Sequence, residues 1–152
     1  MGAMAAGVGH TNEDLALMAG AAVIGSLTIP GRAQHVSEAR AFVAKALGDT
    51  DPLADVAVLL TSELVTNAVV HSDSRSADGT VSLMLIEMPG GLRVEIADGG
   101  SDRNIPVVKS DVFVSEGHGL FLVQTLADQW GYVRDEVGTT VWFWLSRPNR
   151  PA

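Results

Sequence analysis

The stretch LADVAVLLTSELVTNAVV, from Leu53 to Val70, carries two polar residues inside an otherwise apolar run. At 100° of rotation per residue, a helix through this stretch forms one apolar stripe, made of Leu53, Ala57, Leu60, Leu64 and Ala68. Glu63 and Asn67, four residues apart, then share one direction at the margin of that stripe. We expect a buried helix that presents a carboxylate and a carboxamide to a cavity, although a solvated helix edge has the same spacing.

The composition predicts a single domain. A chain of 152 residues with 47% hydrophobic content can bury one good core and is too short for two ordinary domains. We expect this domain to span residues 23–148, after a disordered or artificial tail of residues 1–22 and before a short tail of residues 149–152. The absence of cysteine excludes disulfides and thiolate metal sites and favours the cytoplasm.

The charge balance bears on the class of ligand. The formal net charge of -8 argues against direct binding of nucleic acid, which requires clustered Lys and Arg. The apolar stretch from Leu15 to Gly25 follows Glu13 and Asp14 rather than a basic segment, and it is too short to span a bilayer. We therefore expect no membrane partner. An anionic ligand would need backbone amides, a metal ion or nearby cations such as Arg103 and Lys109.

Hydrophobic periodicity and turn signals predict the order β, α, α, β, β, long loop, α, β, β. The predicted elements are strand 26–29, helix 34–47, the helix of residues 53–70, strands 80–87 and 92–97, a lid-like loop 98–116, helix 117–129, and strands 130–134 and 139–145. Helices segregated from antiparallel strands predict an α+β fold with two layers. We expect a mixed, mostly antiparallel sheet that helices cover on one face.

Two motifs between these elements fit a bound nucleotide. Asp98 ends a predicted strand, where its carboxylate can accept a hydrogen bond from the exocyclic amine of adenine, which guanine lacks at that position. Gly100 would let the backbone pass close to the base. The same Asp-Gly-Gly run is also typical of a simple turn.

The run Gly117-His118-Gly119-Leu120 opens a predicted helix. Unpaired amides and the positive end of the helix dipole make such a position suitable for phosphates. A simple loop has the same short pattern, and the Walker A motif is absent. The amide oxygen of Asn67 suits Mg²⁺, which would leave Glu63 available as a base.

Together these segments resemble the GHKL (Bergerat-fold) ATPase superfamily, within it the small anti-sigma-factor serine kinases and related actinobacterial regulators. The resemblance covers roughly residues 26–145. ELVTNAVVH is similar to the N box, which implies Glu63 as catalytic base and Asn67 as Mg²⁺ ligand. VEIADGG is similar to the G1 box, which implies Asp98 and Gly100 in adenine binding.

The last two boxes follow in the same order. GHGLFLVQTLAD resembles the G2 box, which implies that Gly117, His118, Gly119 and Leu120 lie beside the phosphates. GTTVWFWL resembles the final box, in which Thr139 reaches adenine through water. The implied fold is the two-layer Bergerat sandwich, and the implied cofactors are ATP and Mg²⁺.

The resemblance implies an ATP-binding anti-sigma factor and protein serine kinase. Such a protein sequesters a sigma factor and phosphorylates an anti-sigma antagonist of the STAS type, and related proteins often form homodimers. One position departs from the family pattern, because Asp102 stands where the fuller G1 box has a further glycine. A carboxylate there would repel phosphates unless it turns outward or pairs with Arg103, and binding would then survive while catalysis weakens. The alternative function is therefore a non-catalytic, ATP-responsive partner-switching regulator.

Two other groups of residues have competing interpretations. Glu63, Asn67 and His71 follow at intervals of four, as in a transition-metal site, but successive members rotate about 40° apart on an ideal helix. His71 fits better as the end of its helix. Trp142 and Trp144 share one sheet face by the period of two, which fits packing on the sheet and also a partner surface.

Overall fold

The computed structural model describes residues 20–71, 79–98, 115–134 and 138–148. These residues form a five-stranded sheet and three α-helices. The strands are β1 (Ala22–Pro30), β2 (Thr80–Met88), β3 (Gly91–Asp98), β4 (Gln129–Arg134) and β5 (Thr139–Ser146). The helices are α1 (Val36–Leu47), which a 3-10 turn precedes, α2 (Ala54–His71) and α3 (Ser115–Leu126).

The strand order is β1-β2-β3-β5-β4, and all four described pairings are antiparallel. The sheet therefore lacks the parallel pairing that a mixed sheet would contain. Strand β1 is longer than the predicted segment 26–29, because its ladder with β2 extends from Ala22 opposite Glu87 to Pro30 opposite Thr80. The expected α+β fold in two layers is confirmed.

All three helices pack on the same face of the sheet. On β3, Leu92, Val94 and Ile96 join the hydrophobic core with residues of the helices, whereas Arg93 and Glu95 alternate with them and point to the opposite face. The register extends this alternation to the neighbouring strands, since Val94 lies opposite Leu85 on β2 and Phe143 on β5. We call the face that bears Arg93 and Glu95 the open face.

Helix α2 supplies the largest helical share of this core. Four members of the predicted apolar stripe are buried, namely Ala57, Leu60, Leu64 and Ala68, and Leu53 packs partly buried against the core. Val65 and Val69, which follow Leu64 and Ala68 by one position, are also buried and widen the apolar stripe of α2. The apolar stripe predicted from the sequence is thus confirmed.

Helix α3 ends at Leu126, earlier than the predicted residue 129, because the chain has already joined the sheet. The Asp128 amide donates to the Trp144 carbonyl, and the Asp128 carboxylate accepts from the Ser146 amide at 2.7 Å and its hydroxyl at 2.8 Å. These bonds fix the two-residue link between α3 and β4. None of the described helices is both long and apolar enough to cross a bilayer.

Several sequence predictions concern residues outside the described part of the chain. They are the tail of residues 1–19, the final residues 149–152, and the lid-like loop from residue 99 to residue 114, which includes Gly100, Asp102, Arg103 and Lys109.

Candidate functional site

Chain connectivity brings the predicted motifs to one end of the sheet. Helix α2 ends at His71, and β2 begins nine residues later at Thr80. Val81, the next residue of β2, lies opposite Asp98, the last residue of β3. The C-terminal half of α2, which carries Glu63 and Asn67, therefore lies towards the sheet end where Asp98 is located.

Helix α3 reaches the same end from the other side. Only Ala127 and Asp128 separate its last residue from β4, so α3 runs back antiparallel to that strand. The start of α3 therefore lies near the end of β4, at Arg134. Helices α2 and α3 also pack side by side on the sheet. The C-terminal end of α2 and the start of α3 therefore lie near the same end of the sheet, the end that carries Asp98.

Asp98 and Thr139 are directly opposite each other on β3 and β5. Opposed residues of an antiparallel pair point to the same face, with Cβ atoms roughly 4.5–5.5 Å apart. Both continue the rows of Leu92, Val94 and Ile96 on β3 and of Phe143 and Leu145 on β5, which face the helices. The two residues assigned to adenine thus form one pair on the helix-covered face.

The buried Thr139 hydroxyl is evidence for a polar ligand beside the Asp98–Thr139 pair. Thr139 is 3% exposed, and its Oγ1 atom has no hydrogen-bond partner among the described residues. A buried hydroxyl without a partner is unfavourable by about 1–3 kcal/mol. A bound polar molecule, or a water that it holds, would supply the missing partner.

Glu63 and Asn67 are half-buried on α2, and each is followed directly by a buried residue, Leu64 and Ala68. Their backbone belongs to a continuous helix of 18 residues rather than to a loop, and functional groups on helices are held more precisely than those on loops. This placement agrees with the predicted margin of the apolar stripe. The carboxylate and the carboxamide remain accessible on a rigid element.

The start of α3 differs from the sequence prediction. The helix begins at Ser115 rather than at Gly117. The four amides without a partner in a helix are those of the N-cap residue and of the first three helical residues, and here the latter are Ser115, Glu116 and Gly117. Gly117 therefore stays among the amides suited to phosphate, whereas the amides of His118, Gly119 and Leu120 lie in the hydrogen-bonded part of the helix.

The sequence analysis did not single out Arg134. Arg134 lies opposite Thr139 on β4 and shares its face of the sheet, so Asp98, Thr139 and Arg134 form a row across three strands. The half-buried guanidinium places a positive charge beside the candidate site. The alternation of Trp130, Tyr132 and Arg134 along the predicted strand is the sequence signal that could have identified it.

These residues fit an adenine nucleotide. Asp98 provides an acceptor for an exocyclic amine, Thr139 provides a buried hydroxyl without a partner, and the start of α3 provides amides for phosphate. Asn67 provides the amide oxygen that would ligate Mg²⁺. The donors and acceptors required by a nucleotide are thus gathered at one end of one sheet face.

The family model of the histidine kinase-like ATPase domain matches residues 29–145. The chain belongs to this family. The resemblance to GHKL ATPases that the four motifs indicated is therefore confirmed, and membership implies that the chain binds ATP. The matched range includes both helices and both strands that carry the candidate residues.

Individual relatives agree with this assignment. The chain is 27% identical over 114 residues to the anti-sigma F factor of Clostridium botulinum (strain Eklund 17B / Type B), an alignment that covers 68% of this chain and 79% of the relative. Among solved structures it is similar to the RsbU and RsbW domains of Rv1364c from Mycobacterium tuberculosis, with a TM-score of 0.55 and 23% identity. That match covers 83% of this chain and 34% of the solved chain, and it supports the fold.

A cleft of about 510 Å³ lies at the end of the sheet opposite to the Asp98–Thr139 pair. Arg147 is its cation, and it donates two hydrogen bonds to Asp51 and two to Glu87, at 2.8–3.0 Å. Hydrogen bonds to Glu87 first and Asp51 second raise the pKa of Arg147 above its ordinary value. Since two carboxylates already neutralise this guanidinium, the cleft is poorly suited to an anionic nucleotide.

Proposed function

We propose that this protein is an ATP-binding anti-sigma factor and protein serine kinase. It would sequester a sigma factor and phosphorylate a serine of an anti-sigma antagonist of the STAS type. The similarity to an anti-sigma F factor supports the class of partners. The family supports ATP as the phosphoryl donor.

One observation carries the catalytic part of the proposal. Glu63 and Asn67 lie one turn apart on α2, half-buried, in the half of that helix nearest the Asp98–Thr139 pair. The spacing lets the two side chains serve one bound nucleotide from one helix face.

Each proposed role uses a stated atom of this chain. A Glu63 Oε atom accepts the proton of the attacking serine hydroxyl as the serine oxygen bonds to the γ-phosphorus of ATP. The bond between that phosphorus and the β–γ bridging oxygen breaks, and ADP leaves with the electron pair. The Asp98 carboxylate accepts from the adenine amine and so orients the nucleotide. Asn67 Oδ1 would hold Mg²⁺, which when bound neutralises charge on the phosphates. The unpaired amides at the start of α3, including that of Gly117, donate to phosphate oxygens.

A second candidate function is an ATP-responsive regulator that binds its partner without phosphoryl transfer. Asp102 favours it, because this carboxylate replaces a glycine of the G1 pattern close in sequence to Asp98. Repulsion between a carboxylate and phosphates would slow transfer more than it weakens nucleotide binding. The two candidates share the ATP site and differ in turnover.

The test is a phosphorylation assay with the full chain, Mg²⁺, ATP and purified STAS-domain proteins from the same genome, with phosphoserine detected by mass spectrometry. Removal of the base by Glu63→Gln keeps the size of the side chain and should slow transfer by roughly 10²–10⁴-fold. Co-elution with purified sigma factors should persist in that variant.

The matched control is Glu38→Gln, the same chemical change at an exposed position of α1, which should transfer phosphate at the parent rate. Phosphorylation that survives Glu63→Gln would remove Glu63 from the proposed role. Magnesium-dependent ATP binding and sigma-factor capture without any phosphoserine would establish the second candidate instead.

A further inference from the structure

Arg134 lies beneath the start of α3. Helix α3 has 12 residues and rises about 18 Å, at 1.5 Å per residue. Strand β4 has 6 residues and spans roughly 20 Å, at about 3.4 Å per residue. The two elements run antiparallel, pack against each other and are joined by the short link that contains Asp128. Because their lengths match, the first turn of α3 lies over the last residue of β4, which is Arg134.

This arrangement brings two sources of positive potential together. The start of a helix carries about half an elementary positive charge, and a cation beside it is unfavourable. The Arg134 guanidinium is half-buried and shares the sheet face of Thr139, which is the face that the helices cover. Partial burial strengthens charge interactions relative to bulk water. An anion between the guanidinium and the helix start would interact favourably with both.

A buried hydroxyl connects this place to the proposed adenine contact. Thr139 lies directly opposite Arg134 on the neighbouring strand and directly opposite Asp98 on the other side. Thr139 is 3% exposed, and its Oγ1 atom has no hydrogen-bond partner among the described residues. Two interstrand spacings place Asp98 and Arg134 roughly 10 Å apart. The anionic groups of an adenine nucleotide lie at the far end from the base amine, so one nucleotide can reach from Asp98 to Arg134.

The other cations of the described residues lie elsewhere. Six arginines and lysines are described, and Arg134 is the one that the sheet register places in the row of Asp98 and Thr139. Arg93 points to the open face, where its side chain is 12% exposed and its Nε donates to Glu95 at 2.8 Å. The remaining four are Arg32, Arg40 and Lys45, at exposed positions, and Arg147, at the opposite end of the sheet.

We propose that the Arg134 guanidinium binds a phosphate group of the nucleotide whose base contacts Asp98. This contact gives the site a cation that belongs to the protein, so part of the affinity for ATP persists without Mg²⁺. Asn67 would act on the phosphates only through the metal, from the side of α2. Arg134 acts from the side of β4. The inference rests on the ATP site of the proposed function.

Calorimetric titration of the full chain with ATP and with adenosine, first in EDTA and then in Mg²⁺, tests this contact. In EDTA the parent should bind ATP measurably, although more weakly than with Mg²⁺. Arg134→Gln should lower ATP affinity in EDTA by roughly tenfold or more, the scale of a hydrogen bond to a charged group. Adenosine affinity should stay at the parent value. Arg134→Lys keeps the charge and should lose less ATP affinity than Arg134→Gln.

The matched control is Arg32→Gln, the same chemical change at the same end of the sheet but next to edge strand β1. Arg32 is exposed and follows the last residue of β1 by two positions. This variant should bind ATP like the parent in EDTA, because it removes charge from this end of the molecule without removing the proposed contact. Circular dichroism and thermal melting of each variant establish that the chain is folded.

Four results would overturn the phosphate contact. They are a parent chain that binds ATP only with Mg²⁺, parent ATP affinity in Arg134→Gln, an equal loss of ATP affinity in Arg32→Gln, and an equal loss of adenosine affinity in Arg134→Gln. The third would indicate a general effect of net charge, and the fourth a structural role of Arg134.

Glu116, in the first turn of α3, is the competing anion of this chain. If the guanidinium serves Glu116 in place of a phosphate, Arg134→Gln and Glu116→Gln should destabilise the free protein equally in urea unfolding, with no loss of ATP affinity in Arg134→Gln. That result would overturn this inference alone. Absence of ATP binding by the parent even with Mg²⁺ would overturn the proposed function as well.

Discussion

Asp98, the last residue of β3, lies directly opposite Thr139, the first residue of β5, and both face the helices. In the sequence they are 41 positions apart, with the whole of α3 and β4 between them. The antiparallel register makes them neighbours. This pair combines a carboxylate with a buried hydroxyl that has no partner among the described residues. Three of the five predictions below concern residues that this sheet register brings together.

Replacement of the Asp98 carboxylate should weaken ATP binding, because the hydrogen bond to the adenine amine is lost. A hydrogen bond to a charged group contributes about 1.5–3 kcal/mol, so Asp98→Asn should lower ATP affinity roughly tenfold to a hundredfold. Calorimetric titration with ATP and then GTP measures the effect. Asp49→Asn, in the exposed turn after α1, is the control and should bind ATP like the parent. Undiminished ATP affinity in Asp98→Asn would contradict the contact with adenine.

Thr139→Val should change stability and binding in opposite directions. Valine keeps the shape and removes a buried hydroxyl without a partner, so unfolding of the free protein should require about 1 kcal/mol more. ATP affinity should fall. Urea unfolding and calorimetry provide the two measurements.

Thr140→Val is the matched control for that experiment. Thr140 is 1% exposed, its Oγ1 atom also has no partner among the described residues, and it points to the open face. We expect a similar gain in stability with unchanged ATP affinity. Equal loss of affinity in both variants would exclude a specific role for the Thr139 hydroxyl.

Arg134→Gln should weaken binding of ATP more than binding of adenosine, because the lost interaction is that of a guanidinium with an anionic ligand. The difference between the loss of ATP affinity and the loss of adenosine affinity should shrink as the salt concentration rises, since screening reduces charge interactions at the partly exposed site. Titrations at two salt concentrations measure it. Arg40→Gln, at an exposed position of α1, serves as control. Equal losses for ATP and adenosine would indicate a merely structural role.

Arg147→Met should destabilise the fold without changing nucleotide specificity. The variant removes the hydrogen bonds that tie the C-terminal end of β5 to Asp51 and Glu87, and we expect a loss of about 1–3 kcal/mol. Urea unfolding at neutral pH measures it. Arg40→Met removes an exposed guanidinium and should have little effect. A change below about 0.5 kcal/mol in Arg147→Met would show that the four bonds are not net stabilising.

Asp128 should contribute to acid sensitivity. Hydrogen bonds from the Ser146 amide first and the Ser146 hydroxyl second lower the pKa of Asp128. Its stabilisation is therefore complete above the ordinary Asp pKa of about 3.9 and is lost as pH falls through the lower folded-state pKa. Asp128→Asn should flatten the acid side of the stability curve, measured by urea unfolding between about pH 6 and 2.

The control for that curve is Asp49→Asn, which should retain the slope of the parent. An unchanged slope in Asp128→Asn would show that the bonds to Ser146 are equally formed in the unfolded chain or contribute nothing.

Local patterns predicted most elements because hydrophobic periodicity reflects burial on one face. The stripe of α2 was identified from the spacing of Leu60 and Leu64, and the hairpin of β2 and β3 from alternation around Pro89 and Gly90. Element ends were less predictable. Strand β1 continues beyond residues 26–29 because β2 provides hydrogen-bond partners as far as Ala22, and α3 ends early because Asp128 bonds to the sheet.

The sequence by itself determined the motifs, their order, the family and the buried stripe of α2, because each depends on residues close together in the chain. Only the tertiary structure decided that Asp98 and Thr139 form a pair, that Arg134 extends their row, and that Arg93 is shielded on the open face. These relations depend on strand order and register, which long-range hydrogen bonds between distant segments establish and which local spacing does not encode.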